Sequence, residues 1–210
     1  MEQPVDAAEF GGRTEVVLVR HALSVPPTAD GPDQFTRPLT PDGLRQAKEL
    51  VRDLAVPAPV AVWSSPYLRA IQTVEPTASA LGLVVQTRWE LREWDDGLTF
   101  TVDWKRHYTA SWLDPSLVRP DGESLDQLTE RAVAAVRTLV GTYPGQRVLV
   151  GSHGTFVARA LCGFDVPVSR AFWDGMPMPA VYRLGFDLPC AQPEVSGPGL
   201  PIGTTPGPAR

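Results

Sequence analysis

Short, fully apolar runs alternate along this chain with stretches whose apolar residues recur every three or four positions. The apolar runs are VVLV at 16–19, VAVW within 59–65, LVV within 83–87 and VLV within 147–152, and AVYRLGF at 180–186 reads as a last strand. Runs this short suit strands buried on both faces of a sheet. Helices fill the intervals. Residues 39–54 have Thr40 as cap and Pro41 in the first turn, with Leu44, Ala47, Leu50 and Leu54 on one face. Residues 66–82 form a second helix, entered through Ser65 and Pro66, which Pro76 is expected to kink or interrupt. Residues 124–140 form a third, opened by a capping box of Ser124 and Gln127. Another opens at Gly154 and Thr155. Such alternation predicts an α/β fold: a three-layer α/β/α sandwich with a mostly parallel central sheet and helices on both faces.

The 210 residues divide into one folded domain over 14–188, a flexible leader over 1–13 and a Pro/Gly-rich tail over 189–210. The tail has no periodicity and is expected to be disordered. The leader has neither the basic nor the apolar region of a signal peptide. Formal net charge is -5 and no long Lys/Arg block occurs, which predicts no nucleic-acid partner. No apolar run reaches the length of a membrane span, so no membrane partner and a cytoplasmic location are expected. Cys162 and Cys190 lie in no CxxC pair, so zinc and dithiol chemistry have no support. The sequence sets no oligomeric state.

In open α/β sheets the ligand sits beyond the carboxyl ends of the strands. The first strand hands Arg20 and His21 to that edge without a turn residue between. The second delivers Ser64 and Ser65, with Arg69 just inside the next helix. The third leads into ELREWDDG, which carries Glu90, Glu93, Asp95 and Asp96. The fourth delivers Ser152 and His153 at a helix start. Two of the three histidines therefore fall at strand ends, and His107 reads as surface. Arginines beside histidines make an anion site, where phosphate takes charge-assisted hydrogen bonds. Neighbouring cations favour neutral imidazole, the nucleophilic form. Glu93 or a neighbour could then protonate a leaving oxygen. No Walker run, HExxH or GxSxG elbow is present.

These fragments resemble, in order, the motifs of the histidine phosphatase superfamily, the phosphoglycerate mutase-like fold. LVRHA is similar to its Arg-His signature, and RPLTPDGLRQA to the segment that follows. SSPYLRAIQT resembles the block with the second phosphate-binding arginine. LREWDDG resembles the proton-donor pattern, PDGES a Gly-Glu-Ser element, and VLVGSHG the second-histidine block. The resemblance implies that His21 becomes phosphohistidine. It implies that Arg20, Arg69 and His153 bind the transferring group, that Ser24 touches the phosphate or holds the loop, and that Glu93 serves as acid and then base. Glu123 is expected to orient the loop. Ala22, Leu23 and Pro27 depart from the usual pattern, which makes the loop 24–37 atypical. Most of the six tryptophans are expected in the core, with Trp94, Trp104 and Trp112 lining the entrance.

The expected function is a phosphomonoester hydrolase acting on a small phosphorylated substrate, with no metal and no cofactor. A mutase, which returns the phosphoryl group to bound product, is the alternative. It needs charges for both ends of its ligand and a long covering insertion, whereas only about 25 residues separate Gly97 from Gly122. A non-catalytic phospho-ligand module is the third possibility, disfavoured because His21, Glu93 and His153 are all present.

Overall fold

The computed structural model describes residues 12–98, 100–187 and 192–201. Most of the expected leader, Cys190 and the end of the tail lie outside the described residues. Six strands form one sheet: β1 (Thr14–Arg20), β2 (Ala61–Ser64), β3 (Val85–Thr87), β4 (Arg147–Ser152), β5 (Ala180–Phe186) and β6 (Glu194–Ser196). Their order is β3-β2-β4-β1-β5-β6. The first four in that order pair in parallel, while β5 and β6 are antiparallel. The helices are α1 (Pro41–Glu49), α2 (Val51–Leu54), α3 (Leu68–Ala80), α4 (Trp104–Leu113), α5 (Leu125–Thr142), α6 (Gly154–Gly163) and α7 (Arg170–Asp174).

The pleat of β1 divides the layers. Val16 and Leu18 pack into a core with Leu128 and Val136 of α5 and Phe156 of α6. Val17 and Val19 face the other way, onto Leu54 of α2 and Val74 and Ala78 of α3. One apolar run thus serves two cores, because successive strand side chains point to opposite faces.

The structure corrects several expectations. The helix over 39–54 is divided at Leu50. Helix α3 starts at Leu68, so Ser65 does not cap it, and it runs unbroken through Pro76. Buried Val74, Thr77 and Ala78 hold that segment against the sheet, and this packing outweighs the hydrogen bond the proline removes. Helix α4, absent from those expectations, turns Trp104, Tyr108 and Trp112, four residues apart, to one cluster of rings with Trp173, and its one buried residue is Ser111. The disordered tail expected from 189 onward does not hold over 192–201. Strand β6 pairs with β5 and Val195 is fully buried. The Tyr182 hydroxyl donates to Pro198 O at 3.1 Å. A three-residue edge strand is too short to leave a periodicity.

Candidate active site

Past the end of β1 the chain crosses the carboxyl edge of the sheet under tight control. His21 N donates to Ser152 O at 2.9 Å. Ala22 N donates to Thr73 Oγ1 and Leu23 N to Gln46 Oε1, both at 3.0 Å. Leu23 O accepts from Thr40 N at 2.9 Å. Gly43 lies so close that a Cβ there would stand 2.0 Å from Leu23 O. Thr40, Gly43 and Gln46 of LTPDGLRQA therefore all grip Leu23. His21 itself is buried, and its Nδ1 lies 2.8 Å from Ala22 O. A carbonyl only accepts, so the ring proton sits on Nδ1 and Nε2 carries the lone pair. Burial, then Arg69, with Arg20 and Arg37 behind it, hold this imidazole well below its usual range, against the opposing pull of the Ala22 bond.

Guanidiniums surround that lone pair. Arg69, 1% exposed, donates from Nε to His21 Nε2 at 3.2 Å and from Nη1 to Gln34 O at 2.7 Å. Burial, then repulsion from Arg37, bring it down to about 10. Arg20 donates through Nη1 to Met176 O, while its Nε is buried without a partner among the described residues. Gly154 leaves room for it, since a Cβ there would lie 3.0 Å from Arg20 Nε. Arg37, buried in the loop before α1, is the third cation. Its Nη1 donates to Ser24 Oγ at 2.7 Å and Val25 O at 2.8 Å, and its Nη2 to Gln34 Oε1 at 3.1 Å. Ser24, expected on the phosphate, thus spends its hydroxyl as an acceptor for Arg37.

His153 is fully buried and its ring centroid lies 5.4 Å from that of His21. Its Nε2 is 2.7 Å from Ser65 Oγ. Tyr67 N also donates to that oxygen, at 3.3 Å. The His153 Nδ1 is buried and unpartnered among the described residues. Burial, followed by Arg69 and His21, holds His153 well below the usual imidazole range.

Glu93 docks on the start of α6, where free backbone N–H groups favour an anion. Its Oε1 accepts from Trp94 N at 2.9 Å and Phe156 N at 3.1 Å, and its Oε2 from Thr155 N at 3.3 Å. Arg131 of α5 pins the loop that carries it, donating to Glu90 O at 2.7 Å and Arg92 O at 3.0 Å. Arg131 Nε also donates to Glu123 Oε2 at 3.0 Å, and Glu123 Oε1 accepts from Asp95 N at 3.2 Å. Glu123 thus orients the loop, as expected. Glu90 and Asp95 are exposed, and Asp96 binds Leu98 N rather than a cation of the cluster.

Two neutral histidines, three guanidiniums and a carboxylate thus converge at one sheet edge. The model of the histidine phosphatase superfamily, branch 1, matches residues 16–189. The chain belongs to this superfamily. A probable phosphoglycerate mutase of Citrobacter koseri is 30% identical over 131 residues, which are 58% of this chain and 60% of that protein. The chain spans less than two-thirds of that relative's length. A metal-independent phosphoserine phosphatase of Arabidopsis thaliana is 31% identical over 161 residues, 70% of this chain and 67% of that one. The structure of YhfR from Bacillus stearothermophilus matches with a TM-score of 0.72 at 25% identity, over 89% of this chain and 96% of that chain.

In this member of the superfamily the structure brings together His21, Arg20, Arg69, His153 and Glu93, with Ser24 reaching the site through Arg37. Sequence reasoning missed Arg37, Gln34 and the role of Ser65. Arg37 stands in the RPLT fragment but in no regular element, and the local pattern around Ser65 is that of a helix cap. Trp94 is buried, while Trp104 and Trp112 join a ring cluster with Tyr108 and Trp173. Among the described residues no three His, Cys, Asp or Glu side chains are placed to hold a metal ion.

Proposed function

We propose that this histidine phosphatase hydrolyses phosphomonoesters of small molecules through a phosphohistidine at His21, without a metal. The observation that carries the proposal is the tautomer of His21: Nδ1–H donates to Ala22 O and leaves the Nε2 lone pair among three guanidiniums. Nε2 attacks phosphorus, the N–P bond forms and the ester P–O bond breaks. The leaving oxygen takes a proton from Glu93. Of its two oxygens Oε2 has the weaker hold, one backbone donor at 3.3 Å, and is the one with room for that proton. Arg20, Arg37 and Arg69 offset the charge of the transferring group, and His153 stands beside them with its ring 5.4 Å from that of His21. In the second half Glu93 takes a proton from water, water oxygen bonds phosphorus, and the N–P bond breaks to restore His21. The name of the Arabidopsis relative supports both hydrolysis and metal independence. The short covering segment, with α4 as its one helix, favours water over a second bound ligand as acceptor.

The test is release of phosphate from p-nitrophenyl phosphate by the full chain, with and without chelator. Turnover unaffected by chelator, and lost in His21→Ala with the fold retained by circular dichroism, is expected. Substantial turnover by His21→Ala sinks the phosphohistidine route. Faster interconversion of phosphoglycerates in the presence of their bisphosphate than hydrolysis of either would identify a mutase instead.

A further inference from the structure

The leaving oxygen has to come within hydrogen-bond reach of Glu93. Whatever the phosphate is esterified to must therefore extend past Glu93, and the side chains gathered there are aromatic. The Tyr67 ring lies 5.1 Å from His153, and the Arg69 guanidinium 5.0 Å from the Tyr67 centroid. Beyond Tyr67 stand Phe35 at 4.8 Å and Trp89 at 6.5 Å. Phe35 and Trp89 stack on each other at 5.3 Å with 19° between their planes. Both are about half exposed, at 44% and 49%. From α4, Tyr108 approaches, its ring 4.9 Å from Trp94 and 5.3 Å from Trp173. Burial raises both tyrosine hydroxyls, and carboxylates raise them further, Asp95 and then Glu93 for Tyr67, Asp96 and then Glu93 for Tyr108.

Stacked, half-exposed rings joined to a buried charged site form a surface on which another ring can lie. Arg69 serves His21 Nε2 and Gln34 O, and Arg92, 5.0 Å from the Trp89 ring, faces Glu123 at 3.8 Å. An apolar ring would find open aromatic faces on Phe35 and Trp89.

We propose that Phe35, Tyr67 and Trp89 form a leaving-group platform that selects phosphomonoesters whose alcohol bears an aromatic ring. The proposal rests on the phosphatase reading above, so its test separates binding from turnover. The affinities of 2-phenylethylphosphonate and n-butylphosphonate for the full chain are compared by calorimetry. Both carry the same dianion and neither can be hydrolysed at its P–C bond. The phenyl compound should bind on the order of tenfold tighter. Trp89→Ala and Phe35→Ala should each bring the ratio toward one, with the far-ultraviolet spectrum unchanged. Equal affinities in the wild type, or no binding of either, overturn the platform. A preserved preference in both variants overturns it as well. In parallel, turnover of 2-phenylethyl and n-butyl phosphate, whose alcohols have similar acidity, reports on the enzyme itself. Selective phosphonate binding without turnover of either ester would reject hydrolysis and keep the platform.

Discussion

Replacing Gly43 by alanine sets two physical effects against each other. Gly43 is in α1, where helix propensity alone favours alanine by about 1 kcal/mol. The geometry opposes it. The added Cβ would stand 2.0 Å from Leu23 O, 3.0 Å from Leu23 C and 3.2 Å from the Leu39 Cβ. A carbon–oxygen contact settles at roughly 3.3 Å, so α1 and Leu23 would have to part by more than about 1 Å. Their hydrogen bonds resist that. Leu23 O accepts from Thr40 N at 2.9 Å and Thr40 Oγ1 at 3.2 Å, and Leu23 N donates to Gln46 Oε1 at 3.0 Å. The next residue back is Ala22, whose carbonyl holds the His21 proton. Overpacking costs about 1–3 kcal/mol, which outweighs the propensity gain. A nucleophile displaced by about 1 Å costs on the order of 10² in rate. Gly43→Ala should therefore cut kcat on p-nitrophenyl phosphate about a hundredfold and lower the urea midpoint at unchanged slope. Gly141→Ala in α5 is the control, because nothing lies within 4 Å of its added Cβ. It should keep kcat and gain up to about 1 kcal/mol. A Gly43→Ala enzyme with wild-type kcat and raised stability would refute the reasoning.

Glu93→Gln should lower kcat by about 10² to 10⁴ on alkyl phosphates, the usual worth of general acid–base catalysis, and by much less on aryl phosphates whose oxygen leaves unprotonated. Equal losses on both substrates would reject Glu93 as the acid. Arg131→Lys removes a fork that donates to Glu90 O, Arg92 O and Glu123, and should cost about tenfold in kcat, more for poor leaving groups, with KM little changed. A loss uniform across leaving groups would show that Arg131 does not position Glu93. His21 and His153 are both held well below the usual imidazole range, so the unfolded chain takes up protons first as pH falls. Their contribution to stability is full above about pH 6.5 and is lost progressively below it. The urea midpoint should fall between pH 7.5 and 5.5, and fall less in His21→Ala; the same fall in both proteins would refute the assignment.

What the sequence made legible was what neighbouring residues decide among themselves. β1, β2 and β4 are buried on both faces, so each appears as an uninterrupted apolar run, and the polar residue that ends each run marks the sheet edge. The capping box of α5 could be read for the same reason: Ser124 and Gln127 bond each other. Ser65 shows the limit. Its local sequence, SSP, is that of a cap, yet its hydroxyl is claimed by His153, 88 residues away. Helix α4 shows it again, since the rings that receive its Tyr108, those of Trp94 and Trp173, come from distant parts of the chain. Charge placement divides in the same way. Arg20 and Arg69 ride on a strand end and a helix start, elements whose positions local pattern sets. Arg37 rides on a loop whose position depends on what it grips, Ser24, Val25 and Gln34. Shifting that arginine by one residue would leave every apolar and helical pattern in the chain intact and would still remove the third cation from His21.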